Sequence, residues 1–220
     1  MVLYSALNID INEKVLIHIF PKEKIKTSIN EVTFMNNHVF LMKLLNHKNF
    51  LQLYEIIETK THAFLVYEYF NGIKLSDYIS KKKKLIEEET LMIFKEILST
   101  LIYIHEMYLC DLNLSSNNII IDEKNNIKIC DFKYGHFYST KKKSKPELIG
   151  KHAFLCPEIL SKKMYNPELA DMWSCGVLLY QMITGYLPFK LKKDIDLVRS
   201  IIIGNYFIPN NINTNIKIFD

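Results

Sequence analysis

The chain has 220 residues, 49% of them apolar, which suffices for one large domain or two small lobes and excludes a disordered polar chain. Its formal charge of +4 rests almost wholly on lysine, Arg199 being the only arginine, and so mild a basicity argues against nucleic-acid binding. Cys110, Cys130, Cys156 and Cys175 form no C-x-x-C pair and have no histidine at metal spacing, and no segment has the roughly 18 apolar residues of a membrane span or the layout of a signal peptide. The chain therefore reads as intracellular, cytoplasmic or nuclear, with neither nucleic acid nor membrane as a partner.

In chain order, residues 14–20 (KVLIHIF) and 63–69 (AFLVYEY) are short β-branched or aromatic runs, read as strands. Between them Val39, Met42, Leu44 and Leu45 recur at helical spacing up to Asn46 and His47, followed by a strand-like run over 50–57. From Glu87 the apolar residues Leu91, Ile93, Phe94, Ile97, Leu98, Leu101, Ile102 and Ile104 predict a long core helix. Residues 118–122 and 126–130, separated by the turn signal at 123–125, predict a hairpin. The lysine cluster at 141–145, with Ser144, reads as a solvated loop. A second buried helix is expected over 171–184, closed by Gly185 and Pro188.

Taken together these segments resemble the eukaryotic protein-kinase domain, from about Leu3 to the C-terminus. The motifs that carry the resemblance are NHKNFLQLYE (46–55), LVYEY (65–69), GIKLSDYI (72–79), DFK (131–133) in place of D-F-G, CPE (156–158) in place of A-P-E, and DMWSCGVLLYQMITGYLPF (171–189). In wording and spacing they are most similar to the serine/threonine kinases of the calcium/calmodulin-dependent and AMP-activated group. The resemblance implies an α+β, bilobal fold: a small β-rich N-lobe with one helix over residues 1–70, and a larger, mainly α-helical C-lobe over 71–220. Within that frame the glycine-rich loop and the last C-lobe helices are expected to be missing, since the first glycine is Gly72 and the sequence stops soon after the helix holding residues 197–202.

The resemblance also assigns site positions. From His105, steps of eight, thirteen and twenty-six residues lead to Asn113, Asn118 and Asp131, the family's spacing from the histidine that ends its long helix to the catalytic aspartate, the metal-binding asparagine and the D-F-G aspartate. Asn113 then stands for the catalytic aspartate, Ser115 for the catalytic-loop lysine, and Asp111 for the H-R-D histidine. A rival register makes Asp111 the catalytic aspartate, at the cost of a compensating deletion and insertion. His18 stands for the ATP-contacting strand lysine and His38 for its glutamate partner, so the usual ion pair cannot form; a neutral or repelling histidine pair, ordinary and half-buried rather than metal-binding, is expected. Leu16 replaces an alanine over the adenine slot and Glu68 lies in the hinge, both as cofactor-binding positions.

An amide cannot take a proton from an acceptor hydroxyl as a carboxylate can, and two neutral residues replace the two lysines that steady the transferred phosphate. Asn118 and Asp131 keep the two metal-ligand positions, suited to Mg²⁺ but weak without phosphates. No cofactor is therefore expected, with Mg-ATP only if nucleotide binding survives.

Regulatory positions change as well. Leu112 replaces the arginine that reads a phosphorylated loop, Glu147 falls near the phosphothreonine position, Lys133 replaces the D-F-G glycine, and Lys151 replaces a serine or threonine. Asp171 is expected to anchor the catalytic-loop backbone, Trp173 to pack beneath Pro157 and Glu158, and Phe132, Met42 and Leu53 to stack as a spine. Asp111 interrupts that spine and must either turn to solvent or carry a raised pKa. Without the last helices apolar surface on the flank of the 171–184 helix is expected to be exposed, and Glu158, without its usual arginine, to be buried and unpaired, leaving an isolated chain prone to self-association. The reading is a kinase-like domain without activity that binds a protein partner; a weak kinase and a truncated relic are the alternatives.

Overall fold

The computed structural model describes residues 2–23, 29–111, 113–146, 148, 150–189, 193–207 and 209; Leu112 and Glu147 lie outside them. Four strands form the first sheet: β1 (Tyr4–Asn8), β2 (Glu13–Pro21), β3 (Leu53–Glu58) and β4 (His62–Glu68), antiparallel throughout in the order β1-β2-β4-β3. β2 is central because its β-branched and aromatic run can pair on both edges, Leu16 with Ser5 on one side and with Tyr67 on the other. Helix α1 (Ile29–Leu44) packs beside β3 and buries Leu41 and Met42.

The larger part is helical. A two-residue strand β5 (Ile73–Lys74) leads into α2 (Leu75–Lys82) and then α3 (Glu87–Glu106), which buries Ile93, Ile97, Leu101 and Ile104 along one stripe. After β6 (Leu109–Cys110) the hairpin β7 (Ile119–Ile121) and β8 (Ile127–Ile129) pairs with β5. Its turn is held by the Asp122 carboxylate, which accepts from the Lys124 and Asn126 backbone N–H groups. β9 (His136–Phe137) pairs with β6, and α4 (Pro157–Leu160), α5 (Pro167–Thr184) and α6 (Asp194–Ile202) follow. α3 packs on α5.

One core cluster runs from Leu16, Leu41 and Leu65 of the sheet part to Ile97, Leu101, Val177 and Met182 of the helical part. A second, around Cys110, Ile159, Phe189 and Ile201, joins α4, α5 and α6. The bilobal α+β architecture expected from the motifs is thus present, with a small antiparallel sheet and one long helix set on a helical body.

Three expectations need correcting. The 50–57 run becomes strand only at Leu53, because the Leu51 N–H donates instead to the Ile129 carbonyl at 3.1 Å and Phe50 bridges to β8. The helix expected from Asp171 starts at Pro167, since the Asn166 side chain caps it by accepting the Glu168 N–H at 2.9 Å and proline suits the first turn. Its end is as expected: Gly185 is left-handed at φ 85°, and an added Cβ would lie 1.7 Å from the Lys83 carbonyl oxygen. Glu158 is exposed rather than buried, its side chain leaving the first turn of α4 toward solvent, so no desolvation cost attaches to it. Trp173 stacks on Phe189 with centroids 6.0 Å apart, and the lysines at 141–143 and 145 are exposed, as a solvated loop requires.

Candidate functional site

The sheet part contributes His18 from β2 and His38 from α1. His38 is buried, with its Nε2 2.8 Å from the Tyr67 hydroxyl on β4 and its Nδ1 accepting the backbone N–H of Phe132 at 3.2 Å. A ring that accepts at Nδ1 carries its single proton on Nε2, so the imidazole is neutral and donates to Tyr67. Burial pushes its pKa down to about 4. His18 is half-buried with its ring tilted against Phe20, centroids 4.2 Å apart, and burial again leads the fall of its pKa to about 4. The pair is neutral, as expected, but His38 is a core residue rather than a half-buried one.

Asn37, beside His38 on α1, gives its side-chain N–H groups to the carbonyls of Lys133 at 3.0 Å and Gly135 at 2.7 Å. Helix α1 is therefore fastened to residues 132–135 by hydrogen bonds from two adjacent side chains, with the Phe34 ring set edge-on to Tyr134 at 4.9 Å beside them. Nothing in the sequence pattern singles out Asn37, because a polar residue on a helix surface has no periodic signature.

Below the sheet, residues 111–118 form the floor of the cleft. The Asp171 carboxylate Oδ2 accepts the Asp111 backbone N–H at 2.9 Å and lies 3.0 Å from His105 Nε2, which is the anchoring role expected of it. Asp111 is buried to 1% exposure, and its Oδ1 finds no hydrogen-bond partner. Burial first, then the nearby Asp171 and Asp131, hold its carboxyl well above the usual range. Of the two outcomes open to a carboxyl in the apolar stack, the raised pKa is the one adopted. Phe132, Met42 and Leu53 are buried in the same cluster, with the Phe132 ring edge-on to Phe50 at 5.5 Å.

Asn118 reaches back to the Asn113 carbonyl at 2.9 Å, curling the loop so that Asn113, Ser115, Asn118 and Asp131 line one cleft of about 390 Å³, while Asp111 stays beneath it. Lys133 sits with its ammonium 3.8 Å from the Asp131 carboxylate and 4.9 Å from the centre of the Tyr134 ring. Lys74 and Lys151 line the same space; neither strand pairing nor helix period could have brought these three lysines together in the sequence.

Leu16 lines a smaller cavity of about 170 Å³ with Phe70, Gly72, Ile120 and Cys130, which adjoins the cleft through the shared Lys74, Asn117 and Asn118. Glu68 is not among its lining residues: its carboxylate accepts the Gln52 N–H at 2.8 Å and pairs with Lys128 at 2.5 Å. His18 lines a further cavity with Phe34, Met35, His38, Asp131 and Lys133. Among the described residues no three His, Cys, Asp or Glu side chains gather within reach of one ion.

The family model described as the protein kinase domain matches residues 2–218. The chain belongs to the protein kinase family. This kinase domain is 30% identical over 216 residues to CBL-interacting protein kinase 11 of Oryza sativa subsp. japonica, covering 97% of this chain and 43% of the relative. It is 33% identical over 214 residues to SNF1-related protein kinase catalytic subunit alpha KIN12 of Arabidopsis thaliana, covering 94% and 42%. It is 36% identical over 203 residues to maternal embryonic leucine zipper kinase of Xenopus laevis, covering 90% and 30%. These relatives are of the serine/threonine group to which the motifs pointed, and the chain spans less than half the length of each. No helix among the described residues is long and apolar enough to cross a membrane.

Proposed function

We propose that this kinase domain transfers no phosphate and serves as a binding or regulatory module for a protein partner. The observation that carries the reading is the pairing of Asn113 with Asp111: an amide lines the cleft beside Asp131, while the only carboxyl of the loop floor is buried below it. A group that must accept a hydroxyl proton has to reach that hydroxyl, and Asn113 reaches the cleft without being able to accept the proton.

Electrostatics agree. His18 and His38 are neutral near pH 7, so neither the strand cation nor its carboxylate partner is replaced in kind. Mg-ATP, the family's usual cofactor, finds a poor fit: the Asp131 carboxylate already has the Lys133 ammonium 3.8 Å away. Four free, buried cysteines support a reducing, intracellular setting, cytoplasmic or nuclear. The second reading, a weak kinase, rests on Asn118 and Asp131 lining the same cleft, since two oxygens of that kind suit a hard divalent ion.

Thermal unfolding of the purified chain with millimolar ATP, with and without magnesium, separates the two. A non-catalytic module shifts by less than about 1 °C. A magnesium-dependent rise of several degrees, as ligand linkage gives at saturation, favours the weak kinase.

A further inference from the structure

The cleft floor carries an unusual balance of charge. Lys74 enters from the end of β5, Lys133 from the segment after Phe132 and Lys151 from the loop after Gly150, while among the described residues Asp131 is the only carboxylate in the lining. Three cations against one anion, with the neutral amides of Asn113, Asn117 and Asn118 between them, make a concave surface that favours a multiply charged anion. Bringing ammonium groups together costs free energy that only an anion relieves. The effect shows in Lys151, whose pKa is lowered first by burial and then by Lys74. The Asn113 amide nitrogen, buried in the same lining, has no hydrogen-bond partner, so a donor stands ready there as well.

The Lys133 ammonium beside Asp131 occupies the role a divalent ion would have, so an anion here needs no metal. The shape of the surroundings selects its source. On the Leu16 side the adjoining cavity of about 170 Å³ is walled by Leu3, Phe70, Ile120 and Cys130, and among the described residues it adds no cation to the shared Lys74. On the other side a groove of about 400 Å³, lined by Asn37, Tyr134, Ser144, Lys145 and Tyr165, continues from the cleft through the shared Lys133 and Tyr134. An extended peptide fits such a run, and Lys145 places a further cation along it.

We propose that the cleft holds the phosphate of a phosphorylated serine or threonine side chain of a protein partner, without a divalent ion, on Lys74, Lys133, Lys151 and the Asn113 amide. The assignment rests on the non-catalytic reading above, since a working kinase would release the same group. Lys74 and Lys151 contribute charge, and the groove beyond Tyr134 takes the flanking residues.

The test is fluorescence polarisation of the full chain in EDTA with a labelled heptapeptide carrying one central phosphoserine among alanine and glutamate. Binding is expected, at least tenfold tighter than for the unphosphorylated twin, weakened by salt, displaced by inorganic phosphate, and weakened at least fivefold by either Lys74→Glu or Lys151→Glu. Melting curves establish that the variants fold; should one not, the salt dependence and the phosphate competition on the unaltered chain decide alone. Equal binding of the two peptides, no binding at millimolar concentration, or indifference to the lysine changes overturns the proposal. So does a requirement for magnesium, or displacement by metal-free ATP at far lower concentration than by inorganic phosphate, which would mark a nucleotide site. Phosphate transfer from Mg-ATP is measured separately: its presence overturns the non-catalytic reading, whereas its absence together with failed peptide binding overturns this inference alone.

Discussion

The backbone N–H of Phe132 donates to His38 Nδ1 at 3.2 Å, so a neutral imidazole joins helix α1 to the residue after Asp131. Where an active kinase ties this helix to the sheet with a lysine–glutamate ion pair, helix α1 here is held by hydrogen bonds of His38 to Tyr67 of β4 and of Asn37 to the Lys133 and Gly135 carbonyls. A neutral bond survives burial without the desolvation cost of a charge.

Protonation should break that bond. His18 and His38 both fall from the ordinary 6.5 to about 4 in the folded state, so folding releases protons and the stability it confers is fully present above pH 6.5. It is lost as the pH falls through about 4, with a magnitude of a few kcal/mol for two such groups. Urea unfolding at pH 7 and pH 5 should show the drop, and His38→Gln, which cannot be protonated, should lessen it. A pH dependence unchanged in His38→Gln contradicts the assignment.

Asp111 has the opposite sign. Its raised pKa means that the protonated acid is favoured in the fold, so its contribution is fully present below the unfolded value of 3.8 and is lost as the pH rises through the folded one. Asp111→Asn, a neutral side chain of the same shape, should therefore stabilise the chain at pH 8 by roughly 1–3 kcal/mol, the scale of an unsatisfied buried polar group, and by less at pH 5. Melting temperatures at the two pH values measure it; a destabilisation at pH 8 would mean that the charged carboxylate has a function in the fold.

Gly135 is required by contact rather than by backbone angle. A Cβ there would sit 2.3 Å from the Phe132 ring and 3.0 Å from Leu41. Gly135→Ala should cost about 1–3 kcal/mol by overpacking, and Phe132→Leu combined with it should recover part of that loss. Equal costs for the single and double variants in chemical denaturation would show that the ring is not the obstacle.

Much of the architecture was legible because it is periodic. The α3 stripe from Ile93 to Ile104 and the hairpin around Asp122 follow spacing rules that need no tertiary knowledge. Asn113, Ser115, Asn118 and Asp131 could be expected together because the motif intervals are kept. What escaped was set by three-dimensional meeting: Phe50 and Leu51 turn to β8 instead of extending β3, Asn37 clamps a loop nearly a hundred residues away in the sequence, and Lys74 joins Lys133 and Lys151 only at the cleft. Glu158 was misjudged because its burial was inferred from a partner rather than from its own place on α4.

The central claim is that the cleft lacks the chemistry of transfer, and incubation with γ-labelled ATP and magnesium tests it most directly, on the unaltered chain and on Asn113→Asp. No label on the chain or on generic protein substrates is expected from either, since one restored carboxylate leaves His18 and Ser115 without positive charge. Magnesium-dependent labelling by the unaltered chain, or a tenfold or greater gain in Asn113→Asp, would contradict the account.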